Sequence, residues 1–500
     1  MMLPLLILTL FVGGILACAV ARWNVTLTRW ISLIVMTINF VITISLIMTA
    51  IPDESGTWLM KYSVQWIPAF GINFSLALDG LSLVLLTLTF FLGILSVLTS
   101  WSEIQYRPGF YHFNLLWVIA GITGVFLTTD LFLFYFFWEV MLIPMYFLIG
   151  IWGHENKTYA AYKFFIFTQA SGLLMLLAIL GLYFIHGSQT GIYTFDYFQL
   201  LGTRLNTSTA WWLMLGFVAA FIVKLPVVPF HTWLPDAHSQ APTAGSLILA
   251  GLLLKTGAYG LIRFVLPLFP DASHQIAPWA MTLGVVGIIY GAVLAFAQTD
   301  LKRLVAYTSV SHMGFVMLGV FAFNEVAMQG VVMQMITHGI STGVLFILAG
   351  SLYERIHTRD ISRMGGFWSK APFMGTVALV FVLASLGLPG LGNFVAEFLT
   401  LIGAWSASRP LTAVATAGLV VATAYSLRIM QRIFLGNEVQ GQVPDLSFRE
   451  KLIMIPAVVL IIWLGIFPMK ALEVSKISVK YLLEAVNRSS SGEMGGGAHE

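Results

Sequence analysis

Strongly apolar residues fill this chain in runs about as long as the roughly 20 residues a helix needs to cross a lipid hydrocarbon core. Short polar connections separate the runs. Fourteen can be placed, near 2–21, 28–50, 78–100, 111–128, 130–151, 161–186, 208–230, 243–269, 276–299, 302–322, 327–352, 371–406, 410–435 and 451–470. The twelfth is too long for one straight crossing and contains "LGLPGLGNF" at 386–394, which predicts a broken helix. The seventh places Pro226 and Pro229 just after Lys224, and the same break is expected there. The tail over 488–500 is small and polar, a disordered segment on composition.

Composition excludes a soluble protein. Hydrophobic residues make up 58% of the 500, charged residues only 9%, and the mean hydropathy is +0.89. A soluble domain carries about 25% charged residues. Cys18 is the single cysteine, so neither an internal disulfide nor a four-thiolate iron–sulfur or zinc site can form. The net charge of +3 with no basic stripe argues against nucleic acid. The start "MMLPLLILTLFVGG" has no basic flank and no clear cleavage site, and reads as a retained first helix.

Lysine and arginine set the expected orientation. Connections after odd-numbered runs hold fourteen of them, and those after even-numbered runs only Lys61, Arg204, Arg263 and Arg409. The odd side is therefore expected to be cytoplasmic and both termini periplasmic. The basic tail with Lys470, Lys476 and Lys480 pulls weakly the other way.

Ionisable residues inside the runs carry the chemistry. A charge at the bilayer centre costs about 2.5–3.5 kcal/mol on insertion scales, so its presence points to function. Glu139 sits in span 5, Lys224 deep in span 7, Lys255 mid-span 8, His312 mid-span 10 and Glu397 after the break in span 12. His338 in span 11 is a weaker candidate, with a satisfied core histidine as its rival reading. Along the chain the order is acid, base, base, imidazole, acid. Burial draws the proton affinities of such groups together, and pairing an acid with a lysine opposes that shift. Making or breaking a pair thus switches which group holds the proton. The interrupted helices supply what a proton path needs, because freed backbone at membrane depth must face protein or water. Glu139 to His312 and Lys224 to Glu397 are both separations of 173 residues. Broken helices at matching positions in two halves mark an inverted-repeat transporter.

The stretches "KLPVVPFHTWLPDAHSQAPTAGS" (224–246), "LLKTGAYGL" (253–261), "AQTDLKRLVAYTSVSHMGF" (297–315) and "GLPGLGNFVAEF" (387–398) resemble the antiporter-like subunits of respiratory complex I. The resemblance runs through nearly the whole chain. It implies an all-α polytopic membrane protein of about 14 transmembrane helices. Helices 1–3 would lie in 1–100, and two inverted five-helix repeats in 111–269 (spans 4–8) and 276–435 (spans 9–13). Helices 7 and 12 would be discontinuous, and a last helix with its C-terminal segment would occupy 451–487.

It also implies residue roles. Glu139 would modulate Lys224, Lys255 would be the central relay, His312 and His338 would continue the axis, and Glu397 would be the last proton-exchanging group. The activity implied is proton translocation in the bacterial inner membrane, as part of a proton-translocating NADH:quinone oxidoreductase. No redox cofactor is expected on this chain. NADH, FMN, iron–sulfur clusters and quinone would belong to partner subunits. The expected neighbours are the antiporter-like L and N subunits, which typically carry lysine where Glu397 stands, together with membrane lipids. Subunits of multi-subunit cation/proton antiporters and of energy-converting membrane hydrogenases share this core and are the alternatives. A third reading is a proton-inert scaffold.

Other motifs carry less. His231, Asp236 and His238 in "HTWLPDAHSQAPT" lack a converging further ligand and read as a loop tying helices together, or as a solvated approach. Asp79 reads as a helix start, and so does Asp300 with Lys302 and Arg303. "SVSHMG" lacks the acid of a hydrolase triad, and "GLPGLGNF" lacks the strand and third glycine of a dinucleotide site.

Overall fold

The computed structural model describes residues 2–49, 57–436 and 443–490. Helices α1 (Met2–Val20), α2 (Val25–Thr49), α3 (Gly80–Glu103), α4 (Pro108–Leu127), α5 (Leu131–Trp152) and α6 (Lys157–Thr190) come first. Next are α7 (Thr207–Lys224) and the short α8 (Trp233–Gln240). The helical stretch Thr243–Leu268 is α9, followed by α10 (Pro270–Ala297), α11 (Leu301–Val320) and α12 (Glu325–Ile356). The chain ends with α13 (Pro372–Ser385), α14 (Gly392–Ala407), α15 (Arg409–Phe434), α16 (Phe448–Ile466) and α17 (Pro468–Ser490). The tail expected to be disordered over 488–500 instead continues the last helix through Ser490, and residues 491–500 lie outside the described residues.

Local chemistry explains where these helices start. Asp79, Asp130, Asn206, Asp300 and Asn324 each accept a hydrogen bond from a backbone N–H in the first turn that follows. Ser447 and Glu450 form a capping box at α16. Pro108, Pro270 and Pro372 occupy first-turn positions, where a missing N–H costs nothing.

Among the described residues eleven helices are long and apolar enough to cross a membrane, or twelve if the pair α16–α17, bent by 74°, is one span. Fourteen were expected, and the shortfall has identifiable causes. α11 is an unbroken helix, but Lys302, Arg303 and a run of Ser, Thr and His lower its hydropathy. Run 371–406 divides into helices of 14 and 16 residues. α16 opens on Arg449, Glu450 and Lys451.

The all-α expectation also missed a hairpin. Strands β1 (Trp58–Ile67) and β2 (Ile72–Asp79) pair antiparallel, from Trp58 opposite Asp79 to Ile67 opposite Ile72. Strands of ten and eight residues are too short to register as crossings. Gly71 turns the chain at φ +64, and a Cβ there would lie 2.0 Å from the Tyr193 carbonyl oxygen, so glycine alone fits. α17 was equally unforeseen. It buries Leu472, Ser475, Val479 and Leu482 and exposes Glu473, Lys476 and Lys480.

Two helices form the interior of the bundle. The apolar stretches of α9 and α12 are buried throughout, whereas only 28% of that of α2 is buried. Lys255 lies on α9 and His338 on α12, so the central ionisable groups sit where enclosure is greatest.

Candidate functional site

Lys224 is the last residue of α7 and is fully buried. The chain leaves the helix directly after it and is helical again at Trp233. Its Nζ finds no hydrogen-bond partner and lies 5.0 Å from the ring centre of Trp138 and 5.5 Å from that of Phe164. An ammonium over aromatic faces is held by the ring quadrupole. Glu139 follows Trp138 on α5, half-buried against Gly172 of α6, with Oε1 unpartnered. The expected acid and lysine are thus brought to the same region, but an aromatic ring and not the carboxylate touches the ammonium.

Lys255 sits between two π-helical turns, Leu249–Leu253 and Leu261–Val265. Such turns loosen the ordinary helical ladder and recur at functional sites. Here the Lys255 ammonium donates to the Ala250 carbonyl at 2.5 Å, and its Nζ stands 2.6 Å from Nδ1 of His338. If the lysine is charged, Nδ1 accepts and Nε2 of His338 carries the ring proton. That Nε2 is buried without a partner. Gly257 explains how α9 comes so near α7, because a Cβ there would be 2.7 Å from the Phe221 carbonyl oxygen and 3.2 Å from Cβ of Lys224.

The line continues on the far side of α12. The rings of His338 and His312 have centres 5.6 Å apart. Nδ1 of His312 lies 2.9 Å from Oε1 of Glu397. A carboxylate can only accept, so Nδ1 carries a proton. Nε2 of His312 then faces the hydroxyls of Ser385 at 3.3 Å and Tyr425 at 3.4 Å, both able to donate. Glu397 lies in the second turn of α14, and Ser385 ends α13. The non-helical stretch 386–391 is thereby placed beside the acid, and a Cβ on Gly387 would be 2.9 Å from Oε2 of Glu397.

Four of the six expected residues therefore form one run of close contacts, Lys255–His338–His312–Glu397. Lys224 and Glu139 form a second group, joined to the first through packing at Gly257 and not through a side-chain hydrogen bond. Trp138, Phe164, Ser385 and Tyr425 were not singled out in the sequence. Nothing in an apolar run distinguishes an aromatic ring that carries an ammonium from one that fills space. His238 was read as part of a loop. It lies on α8, fully buried, stacked on Phe346 at 4.4 Å with both ring nitrogens unpartnered. Asp236 instead pairs with Lys163 at 2.7 Å and Arg303 at 2.9 Å and ties three helices together. Lys302, read as a helix start, is buried and donates to the Ala241 carbonyl at 3.0 Å. Among the described residues no three or more His, Cys, Asp or Glu side chains are grouped to hold a metal ion.

Outside the bundle core, His154 follows α5 with its ring edge-on to Tyr353 at 5.0 Å. Burial, reinforced by Lys302 and Arg359, pushes its pKa down to about 3. Asp360 is held below the usual carboxylate range by the Ser362 hydroxyl and backbone N–H.

Comparison with known proteins gives the class first. The profile described as "NADH:quinone oxidoreductase/Mrp antiporter, TM" matches residues 128–423, which contain all six axis residues. NADH-quinone oxidoreductase subunit M of Pseudomonas aeruginosa is 54% identical over 492 residues, 96% of this chain and 97% of the relative. The subunit M of Escherichia coli strain K12 is 51% identical, with 96% and 97% covered. A chain of respiratory complex I from Thermus thermophilus superposes with a TM-score of 0.86 at 32% identity, covering 96% of this chain and 99% of that one. The chain belongs to the M-subunit family of NADH-quinone oxidoreductase, an enzyme complex.

Proposed function

We propose that this chain translocates protons across the bacterial inner membrane through its buried axis, driven by NADH oxidation and quinone reduction in partner subunits of the same complex. The observation that carries the reading is the unbroken set of close contacts from Lys255 through His338 and His312 to Glu397. Each member can hold or release a proton. Hydrogen-bond contacts join Lys255 to His338 and His312 to Glu397, and a water between the two imidazoles would bridge the step at which no side-chain hydrogen bond joins them.

Glu139 and Lys224 act as the control pair. The Lys224 ammonium resting on Trp138 is poised between two states, one beside the neighbouring carboxylate and one released toward α9. Buried donors and acceptors without protein partners cost about 1–3 kcal/mol each unless hydrated. Such atoms occur on the helices of the axis, at Ser309 on α11, Gln334 on α12 and Asn393 on α14. Water is the partner they call for, and water completes a proton wire.

The same reading takes the fourteen helical segments as crossings. α4–α9 and α10–α15 hold the two inverted repeats, the stretches 225–232 and 386–391 interrupt crossings 7 and 12, and both ends of the chain are periplasmic. It places the chain between the L and N subunits, with FMN, iron–sulfur clusters and quinone outside it.

The test uses inside-out membrane vesicles carrying Glu139→Gln, with the assembled complex first shown to be at normal level. NADH-driven quinone reduction and proton uptake are recorded together. Collapse of both rates by about two orders of magnitude, the scale of a lost proton-transfer group, is the expected result. Normal assembly with normal electron flow and pumping would reduce the acid to a structural role and sink the proposal.

A further inference from the structure

A groove of about 710 Å³ runs along the outside of the bundle between α2 and α16. Its floor is formed by α3 and α12, where Leu88, Ile336 and Ile340 face it. Every lining residue is apolar except Thr87 and Lys470. The groove has a definite depth. On α16 its lining runs from Ile455 to Leu464, nine steps of 1.5 Å or roughly 14 Å. That is about half of the ~30 Å hydrocarbon core. The lining segments sit toward the C-terminal ends of α2 and α16 and the N-terminal end of α3, so the groove opens within a single leaflet. A neighbouring transmembrane helix would need a trough through both leaflets.

The charge at the mouth selects the occupant. α16 ends at Ile466, and α17 turns away from it by 74° with Lys470 on its first turn. Lys470 is exposed and forms no ion pair among the described residues. Lys476 and Lys480 are exposed along the same helix. They lie on the face where connections otherwise hold only Lys61, Arg204, Arg263 and Arg409, so these lysines run against the orientation bias of the chain. Free cations at a membrane surface beside a leaflet-deep apolar groove are complementary to one kind of molecule.

We propose that the groove binds an anionic diacyl phospholipid, its tails lying between α2 and α16 and its phosphate on Lys470. The lipid would also touch the relay. Ile336 and Ile340 flank His338 in sequence on α12, so lipid tails would brace the turn from which His338 reaches Lys255. That consequence rests on the proton-relay reading, whereas lipid occupancy does not.

The experiment uses the whole complex and two variants on accessible side chains. A photo-reactive amino acid at position 44, replacing the half-buried Ile44, is activated in complex reconstituted with phosphatidylglycerol and phosphatidylcholine, and adducts are read by mass spectrometry. A phosphatidylglycerol adduct is expected. Lys470→Gln should lower its preference over phosphatidylcholine by about fivefold, the weight of one lysine at a charged surface. Ile44→Trp, which fills the groove, should remove one co-purifying lipid whatever the headgroup. Adducts to a partner subunit, or a lipid adduct indifferent to headgroup and to Lys470, would overturn the proposal. Lipid occupancy that follows Lys470 while pumping stays unchanged would retain the site and remove only its link to His338.

Discussion

At His312 the two ring nitrogens are already assigned by their neighbours, and this makes the residue testable on its own. Nδ1 donates to Glu397 and Nε2 faces two hydroxyls. His312→Asn keeps a donor near the carboxylate but cannot take a proton on one side and release it on the other. Normal assembly with proton uptake reduced by about two orders of magnitude is expected, read in vesicles beside electron flow.

His154 gives a prediction with a defined sign. Its folded pKa of about 3 lies below the ordinary 6.5 of an unfolded histidine. Between those values the unfolded chain binds the extra proton, so stability is complete above pH 6.5 and declines as pH falls toward 3. His154→Gln should therefore match the wild type at pH 7.5 and exceed it in thermal stability at pH 5. Equal losses for both proteins at pH 5 would remove His154 from that account.

The six candidate residues stood out in the sequence because a charge in an apolar run is expensive wherever the chain folds. His238 was misplaced because "HTWLPDAHSQAPT" has the polar composition of a surface loop, and only packing against Phe346 reveals it as interior.

Between elements, the pair Asp79–Arg263 shows how a feature can be half legible. Asp79 was read as the cap of α3, and its Oδ1 does accept from the Ser82 N–H at 2.9 Å. Its other oxygen accepts from the Arg263 guanidinium, which lies over the Trp58 ring at 4.7 Å and donates to the Tyr259 hydroxyl at 3.2 Å. One buried ion pair thus fastens the hairpin, the start of α3 and the second π-turn of α9. Sequence alone counted Arg263 as a loop cation, because its partner is 184 residues away.

Removing one member leaves the other charged and buried, at a cost of about 3–5 kcal/mol. Asp79→Ala should therefore lower the amount of assembled complex and its thermal inactivation midpoint. The apolar pair Asp79→Leu with Arg263→Met should recover most of that loss. Failure of the double variant to recover would mean that the charges, and not only the packing, are required at this junction. Gly257 is a second junction. Gly257→Leu has to push α9 from Phe221 and Lys224, with a cost of about 1–3 kcal/mol for an overpacked site.

For the molecule as a whole, the sequence located a helix at every one of the fourteen runs but could not say which of them cross. Apolarity is a poor guide where polar side chains are buried against protein, and α11 is the clearest case. It is 20 residues long, about 30 Å, and so can span the hydrocarbon core. It is less apolar than most of the other long helices because it carries Lys302, Ser309, Ser311 and His312, all buried against protein. Close packing keeps it in the bundle. A Cβ on Gly314 would meet the Gly284 carbonyl oxygen of α10 at 2.5 Å, the small-residue contact typical of helices that meet within a membrane.

Whether α11 crosses can be read from the two sides of the membrane. Ser188 lies in the last turn of α6 and Ser362 follows α12, and both are exposed. If the helices between them include α11 as a crossing, five crossings separate the two sites and they face opposite sides. Without α11 there are four, and the sites share a side. In a Cys18→Ser background, Ser188→Cys should react with a membrane-impermeant maleimide only in spheroplasts, and Ser362→Cys only in inside-out vesicles. Labelling of both from one side would take α11 out of the membrane. His312 and Glu397 would then have no bilayer to carry a proton across.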